Sequence, residues 1–153
     1  MFELFKATKD GEIAVRLDEN LRGLIRKVTE ELREVLLVDD KEQVARLYPT
    51  AYPDDEELEK DYRELVHDQL LMDRLDALDK LHGSLDDETL SVELADIWMN
   101  TINQARLVLG TQLDVSEDDG SLDEDDPLVQ NKVVYQVLSH ILEDLTHART
   151  KLL

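Results

Sequence analysis

Apolar residues recur at spacings of three and four positions along most of this 153-residue chain. That spacing indicates amphipathic helices, because it places apolar side chains on one face of a helix with 3.6 residues per turn. Cysteine is absent, so no disulfide can hold the fold and burial of these faces must do so. A chain of this length can bury a sufficient core as one domain. The sequence therefore predicts a mainly α fold: a bundle of about four to five helices in a single domain, residues 1–153.

Local start and stop signals set the bounds of the predicted elements. Asp10-Gly11 separates two alternating segments, which indicates a small N-terminal β-hairpin at about residues 2–17. Three helices begin behind residues that favour the N-cap position, namely Asp18, Asp54 or Asp55, and Ser91. The helices are accordingly predicted at residues 19–37, 41–48, 54–82, 92–113 and 127–152, with an acidic loop at 114–126.

The predicted helix 54–82 carries two apolar stripes on nearly opposite sides. The first consists of Leu58, Tyr62, Leu65 and Val66, and the second of Leu70, Leu71, Leu75, Leu78 and Leu81. One neighbour cannot bury both stripes of a straight helix, so we expect a central helix with neighbours on both sides or a bend near Gln69. A homodimer is the alternative, in which the second stripe supplies a self-association face of Leu71, Leu75 and Leu78.

The net charge of −20 lies in the middle of the chain, where residues 39–127 contain 7 basic and 27 acidic residues. Such a surface repels phosphate, which argues against nucleic acid and anionic membranes as partners and favours basic protein surfaces or metal cations. Arg22, Arg26 and Arg33 form the main basic stripe, and Glu30 is spaced to pair with the last two within the helix. A charged N-terminus and the absence of a long apolar run predict a cytoplasmic protein.

Two pairs of residues have the spacing of metal ligands in di-iron helical bundles: Glu64 with His67, and Asp144 with His147. His140 lies on the same helix face as His147, opposite the apolar residues, so these side chains are expected to face solvent. No phosphate-binding glycine loop or nucleophile motif is present. We therefore predict no catalytic residues, no metal and no cofactor, and we do not expect an enzyme.

Asn103, Arg106 and Gly110 flank the apolar face of the helix predicted at 92–113, at spacings of three and four. Glycine inside a helix is unfavourable relative to alanine and usually reflects close approach of another backbone. Arg106 would then require a carboxylate partner in a crowded place. A structural arginine pair is the simpler interpretation, and a ligand or interaction site is the alternative.

Two longer segments suggest a family, Ala45-Arg46-Leu47-Tyr48-Pro49-Thr50-Ala51-Tyr52 and Arg106-Leu107-Val108-Leu109-Gly110-Thr111-Gln112-Leu113. With Trp98, Asn103 and Asp126-Pro127, they resemble an uncharacterised actinobacterial domain-of-unknown-function family often encoded beside ClpS, the adaptor of the Clp protease. The resemblance adds Arg46 and Tyr52 to the candidate interaction residues. The complete helical scaffold, the uneven charge and the lack of a catalytic motif predict a non-enzymatic interaction or regulatory module, and the gene position that the resemblance implies connects it with Clp-dependent proteolysis. The alternatives are a transcriptional regulator and, third, a metal-binding helical enzyme.

Overall fold

A computed structural model describes residues 3–38, 50–113 and 129–153. Within these ranges the elements are β1 (Phe5–Ala7), β2 (Ile13–Val15), α1 (Glu19–Val38), α2 (Glu56–Ser84), β3 (Thr89–Leu90), α3 (Val92–Leu113) and α4 (Val129–Thr150). The prediction of a mainly α fold with a small N-terminal hairpin is confirmed. The predicted helix 41–48, the acidic loop 114–126 and the first two residues of the predicted helix 127–152 lie outside the described residues.

The hairpin is the start of a three-stranded antiparallel sheet in the order β1-β2-β3. Gly11 has a φ of 80° in the turn between β1 and β2, a conformation that glycine adopts without steric cost. The third strand pairs Leu90 with Ile13 and Thr89 with Ala14. It was not predicted, because two residues are too few to show the alternation that marks a strand.

Side-chain caps begin the helices where the sequence predicted them. The Asp18 carboxylate accepts a hydrogen bond from the Leu21 N–H at 2.8 Å, and the Ser91 hydroxyl accepts one from the Leu94 N–H at 3.1 Å. For α2 the cap is Asp55, which accepts from two backbone N–H groups of the first turn. Each bond satisfies a donor that the helix itself leaves unpaired.

Trp98 of α3 lies at the centre of the core and is fully buried. Its indole Nε1 donates to the Ser84 hydroxyl at the end of α2, at 2.8 Å, and its ring meets Phe5 of β1 edge to face at 6.3 Å. The core joins one face of each of the helices α1 to α4 to the inner face of the sheet. One aromatic side chain therefore connects α2, α3 and the hairpin.

The second apolar stripe of α2 is part of this core. Leu78 and Leu81 are fully buried, and Leu71 and Leu75 pack against the same cluster. Of the predicted self-association face, Leu78 is therefore buried within the chain, and Leu71 and Leu75 are half-buried against their own bundle. α2 is a continuous helix to Ser84, two residues beyond the predicted end.

Candidate interaction site

The first apolar stripe of α2 points away from the core. Two of its side chains, Leu58 and Leu65, have 47% and 82% of their surface accessible, and Met72, which follows on the same side of the helix, has 66%. The half-buried Tyr62 and the exposed Gln69 lie between them, so the five positions follow one another at intervals of four and three. We call Leu58, Tyr62, Leu65, Gln69 and Met72 the α2 stripe. Its spacing is that of a seam at which one helix packs along another.

The α2 stripe lies on a part of the helix that extends past its neighbour. Arg33 of α1 pairs with Asp79, and Arg26 pairs with Asp86, so the two helices run antiparallel. Since α1 ends at Val38, five residues after Arg33, its end lies level with about residue 74 of α2. The first half of α2 therefore projects beyond α1, whose own last residues Leu37 and Val38 are exposed.

Tyr52, one of the predicted interaction residues, lies beside this projecting part. Its ring meets Tyr62 edge to face at 6.0 Å. The backbone N–H groups of Ala51 and Tyr52 both donate to Oε1 of Glu59 at 2.8 Å. These bonds, the Tyr52 amide foremost and then the Arg63 side chain, lower the pKa of the Glu59 carboxyl. The chain before α2 is thus fixed against the helix with Tyr52 still 44% exposed.

Charges around the α2 stripe have one sign. At 100° per residue, the charged side chains within a quarter turn of Leu65 between positions 56 and 76 are all acidic: Glu57, Asp61, Asp68, Asp73 and Asp76. The basic residues of the same stretch, Lys60, Arg63 and Arg74, lie on the opposite half of the helix. The α2 stripe is therefore a row of mainly apolar side chains with acidic residues on both sides.

Asn103 and Arg106 are brought together at a second place, where α3 meets α4. Arg106 Nη2 donates to Asn103 Oδ1 at 2.9 Å, and Nη1 donates to the Ser139 hydroxyl at 3.2 Å. The guanidinium carbon lies 5.6 Å from the centre of the Tyr135 ring, within cation–π range. Within the described ranges these neutral groups take the place of the expected carboxylate. Gly110 is buried on the same helix.

The predicted interaction residues therefore do not form one site. Asn103 and Arg106 connect two helices, whereas Tyr52 belongs to the surface around the α2 stripe. Arg46 lies outside the described residues. Periodicity identified Leu58, Tyr62 and Leu65 of the stripe, but the expectation that neighbours on both sides, a bend or a second copy would cover both apolar faces was wrong for the exposed Leu58 and Leu65.

The basic stripe of α1 is used to join α1 to α2. Arg22 donates to the backbone carbonyls of Leu17, Leu85 and Asp87. Arg33 forms an ion pair with Asp79 of α2, and Arg26 forms one with Asp86, two residues after α2 ends. The predicted intrahelical pairing with Glu30 was wrong, because these two arginines pair with Asp86 and Asp79 instead.

The candidate metal ligands lie on two helices, α2 and α4. Asp144 Oδ2 accepts hydrogen bonds from the backbone N–H groups of Leu4 and Phe5 at 2.6 and 3.1 Å, so it joins α4 to the hairpin. His140 and His147 are exposed on α4, and Glu64 is exposed on α2. Within the described residues, no three histidine or acidic side chains lie close enough to hold a metal ion.

The half-buried His82 of α2 makes a polar contact with α1 that the sequence did not reveal. Its Nε2 lies 2.6 Å from the Thr29 hydroxyl, which itself donates to the Ile25 carbonyl at 2.7 Å. The Thr29 oxygen therefore accepts a hydrogen bond from Nε2–H of the imidazole. Burial, and after it the positive charge of Arg33, lowers the pKa of His82.

Comparison with known proteins gives a family match. The profile described as Domain of unknown function (DUF2017) matches residues 2–149. No curated protein and no solved structure matches the chain. In the described parts of the chain, no helix combines the length and the apolar character that a bilayer span requires.

Proposed function

The chain belongs to the DUF2017 domain family, and we propose that it acts as a non-enzymatic interaction module that binds a protein partner through the α2 stripe. The observation that carries this proposal is the exposure of Leu65 and Met72 on a helix face opposite the core. Contiguous exposed apolar surface with a polar rim is typical of protein-binding sites in otherwise well-packed domains. The acidic border favours a protein partner over nucleic acid or an anionic membrane.

The proposed process is regulated proteolysis. Its support is the resemblance to a family often encoded beside the Clp-protease adaptor ClpS, which is an association of genes and supplies no contact. Purified ClpS is therefore the first partner to titrate. A transcriptional regulator remains the alternative, but the arginines of α1 on which it would rest already bond to Asp79, Asp86 and the Leu85 carbonyl.

Affinity capture with three versions of the protein tests the proposed function. Leu65→Glu places a charge in the middle of the stripe, and Leu153→Glu makes the same change at a residue that is 93% exposed elsewhere. We expect partners recovered with the parent and with Leu153→Glu to be depleted at least about tenfold with Leu65→Glu, since burial of one leucine contributes about 1.5–3 kcal/mol. Recovery of the same proteins with all three versions would refute a docking role for the stripe.

A further inference from the structure

We infer that the occupant of the α2 stripe is an amphipathic helix of a partner protein whose apolar seam is bordered by lysine and arginine. This inference rests on the proposed function and adds the chemical class of the partner. It follows from the spacing of the stripe and from the sign of the charges beside it. A helix that binds through an apolar seam makes contact through side chains at intervals of three and four. The side chains of the α2 stripe have the same spacing.

The geometry favours a helix over an extended peptide. The stripe runs along one side of α2 from Leu58 to Met72, about 21 Å at 1.5 Å per residue. A partner helix that lies along this line can insert side chains between Leu58, Leu65 and Met72. Within the described residues, the short strands of the hairpin lie at the other end of α2, so this surface offers no strand edge for an extended peptide to pair with.

The acidic side chains beside the α2 stripe determine which side chains can border the apolar seam of the partner helix. Asp61 and Asp68 border one side of the stripe, and Asp73 lies on the other, where it accepts a hydrogen bond from the Gln69 amide at 2.9 Å. All three aspartates are exposed. Basic side chains at the edge of a docked helix would meet these carboxylates, whereas acidic side chains there would be repelled.

The same charges argue against a second copy of this chain. Two α2 stripes packed together would bring Asp61, Asp68 and Asp73 of one copy against the corresponding acidic border of the other. Each molecule also carries a net charge of −20. Like charges at a helix seam destabilise the pairing and select other partners.

Designed peptides provide the probe. The first is a helical peptide with leucine at four-three spacing and lysine or arginine on both borders of its seam. The second keeps the leucines and has glutamate borders, and the third keeps the basic borders and has serine in place of leucine. Binding of each labelled peptide to the full chain is measured by fluorescence anisotropy at about 50 and 150 mM salt. We expect the first peptide to bind at least about tenfold more tightly than either of the others.

Variants of the protein separate docking from general attraction of a basic peptide to an acidic protein. Leu65→Glu adds negative charge, so binding driven by charge alone would become tighter, whereas docking on the stripe becomes at least about tenfold weaker. Leu153→Glu adds the same charge away from the stripe and should leave affinity unchanged or slightly raised. Asp61→Asn with Asp68→Asn should weaken binding at low salt and reduce its salt dependence.

The outcomes distinguish this inference from the proposed function. Equal binding of the first peptide by the parent and Leu65→Glu, equal binding of the glutamate-bordered peptide, or binding of none of the peptides would overturn the helix assignment. Self-association of the parent that Leu65→Glu abolishes, seen by light scattering, would overturn it in favour of a second copy. If the peptides fail while Leu65→Glu still depletes a partner in the capture experiment, the proposed function stands and only the partner class is wrong.

Discussion

At the scale of single residues, the Trp98 indole and the Ser84 hydroxyl set the position of α2 against α3. Ser84 donates to the Lys80 and Leu81 carbonyls of its own helix and accepts the indole N–H. The Ser84 hydroxyl is the acceptor that the described structure gives to the buried indole Nε1. Loss of the Ser84 hydroxyl would therefore leave the buried indole N–H of Trp98 without this acceptor.

We predict that Ser84→Ala lowers the free energy of unfolding by about 1–3 kcal/mol, the cost of an unsatisfied buried donor. Urea unfolding followed by fluorescence measures it, because Trp98 is the only tryptophan in the sequence. Thr111→Ala is the control, since the Thr111 hydroxyl bonds only a carbonyl of its own helix and should cost less. Equal losses for both variants would show that the indole bond adds nothing.

His82 makes stability depend on pH. Its pKa is below the ordinary value of 6.5 in the folded protein, so the unfolded chain binds the proton more readily. The stability that neutral His82 contributes is complete above 6.5 and is lost as the pH falls through the lowered folded value. We expect His82→Gln to flatten the fall in unfolding free energy between about pH 7 and 5, whereas the exposed His140→Gln should leave the slope unchanged. Parallel slopes for all three proteins would contradict this account.

At the scale of elements, α2 has one face in the core and the other in solvent. Leu78 is fully buried and Leu65 is 82% exposed, although both are leucines within the same helix. We predict that Leu78→Ala lowers the unfolding free energy by about 2–5 kcal/mol and that Leu65→Ala changes it by no more than about 0.5 kcal/mol. Chemical unfolding of both variants decides this. Similar costs for the two would mean that both faces of α2 are core.

Features that neighbouring residues determine could be predicted from the sequence, whereas features that depend on residues far apart in the chain could not. The caps at Asp18 and Ser91 and the turn at Gly11 were predicted because neighbouring residues determine them. The partners of Arg26 and Arg33 were not, because only the intrahelical glutamate is visible from spacing. Which face of α2 is exposed depends on how the whole bundle packs. Periodicity alone identifies two apolar faces and does not show which of them meets the core.

At the scale of the whole molecule, the net charge determines which classes of partner the protein can bind. The net −20 repels phosphate, and the arginines of α1 are paired or bonded to carbonyls. We predict no binding to duplex DNA tighter than about 10⁻⁶ M at about 150 mM salt. A gel-shift titration checks this, and salt-sensitive binding below that limit would support the transcriptional-regulator alternative instead.

The central claim is that a partner helix lies on the α2 stripe. Photo-crosslinking in cells tests it most directly, with a benzophenone side chain in place of Leu65 in one protein and of Leu153 in another, both positions being strongly exposed. The account predicts a cross-link at position 65 alone, to a segment of another protein with apolar residues at four-three spacing and lysine or arginine beside them. Equal cross-linking at both positions, or a cross-link at position 65 to a second copy of this chain, would contradict it.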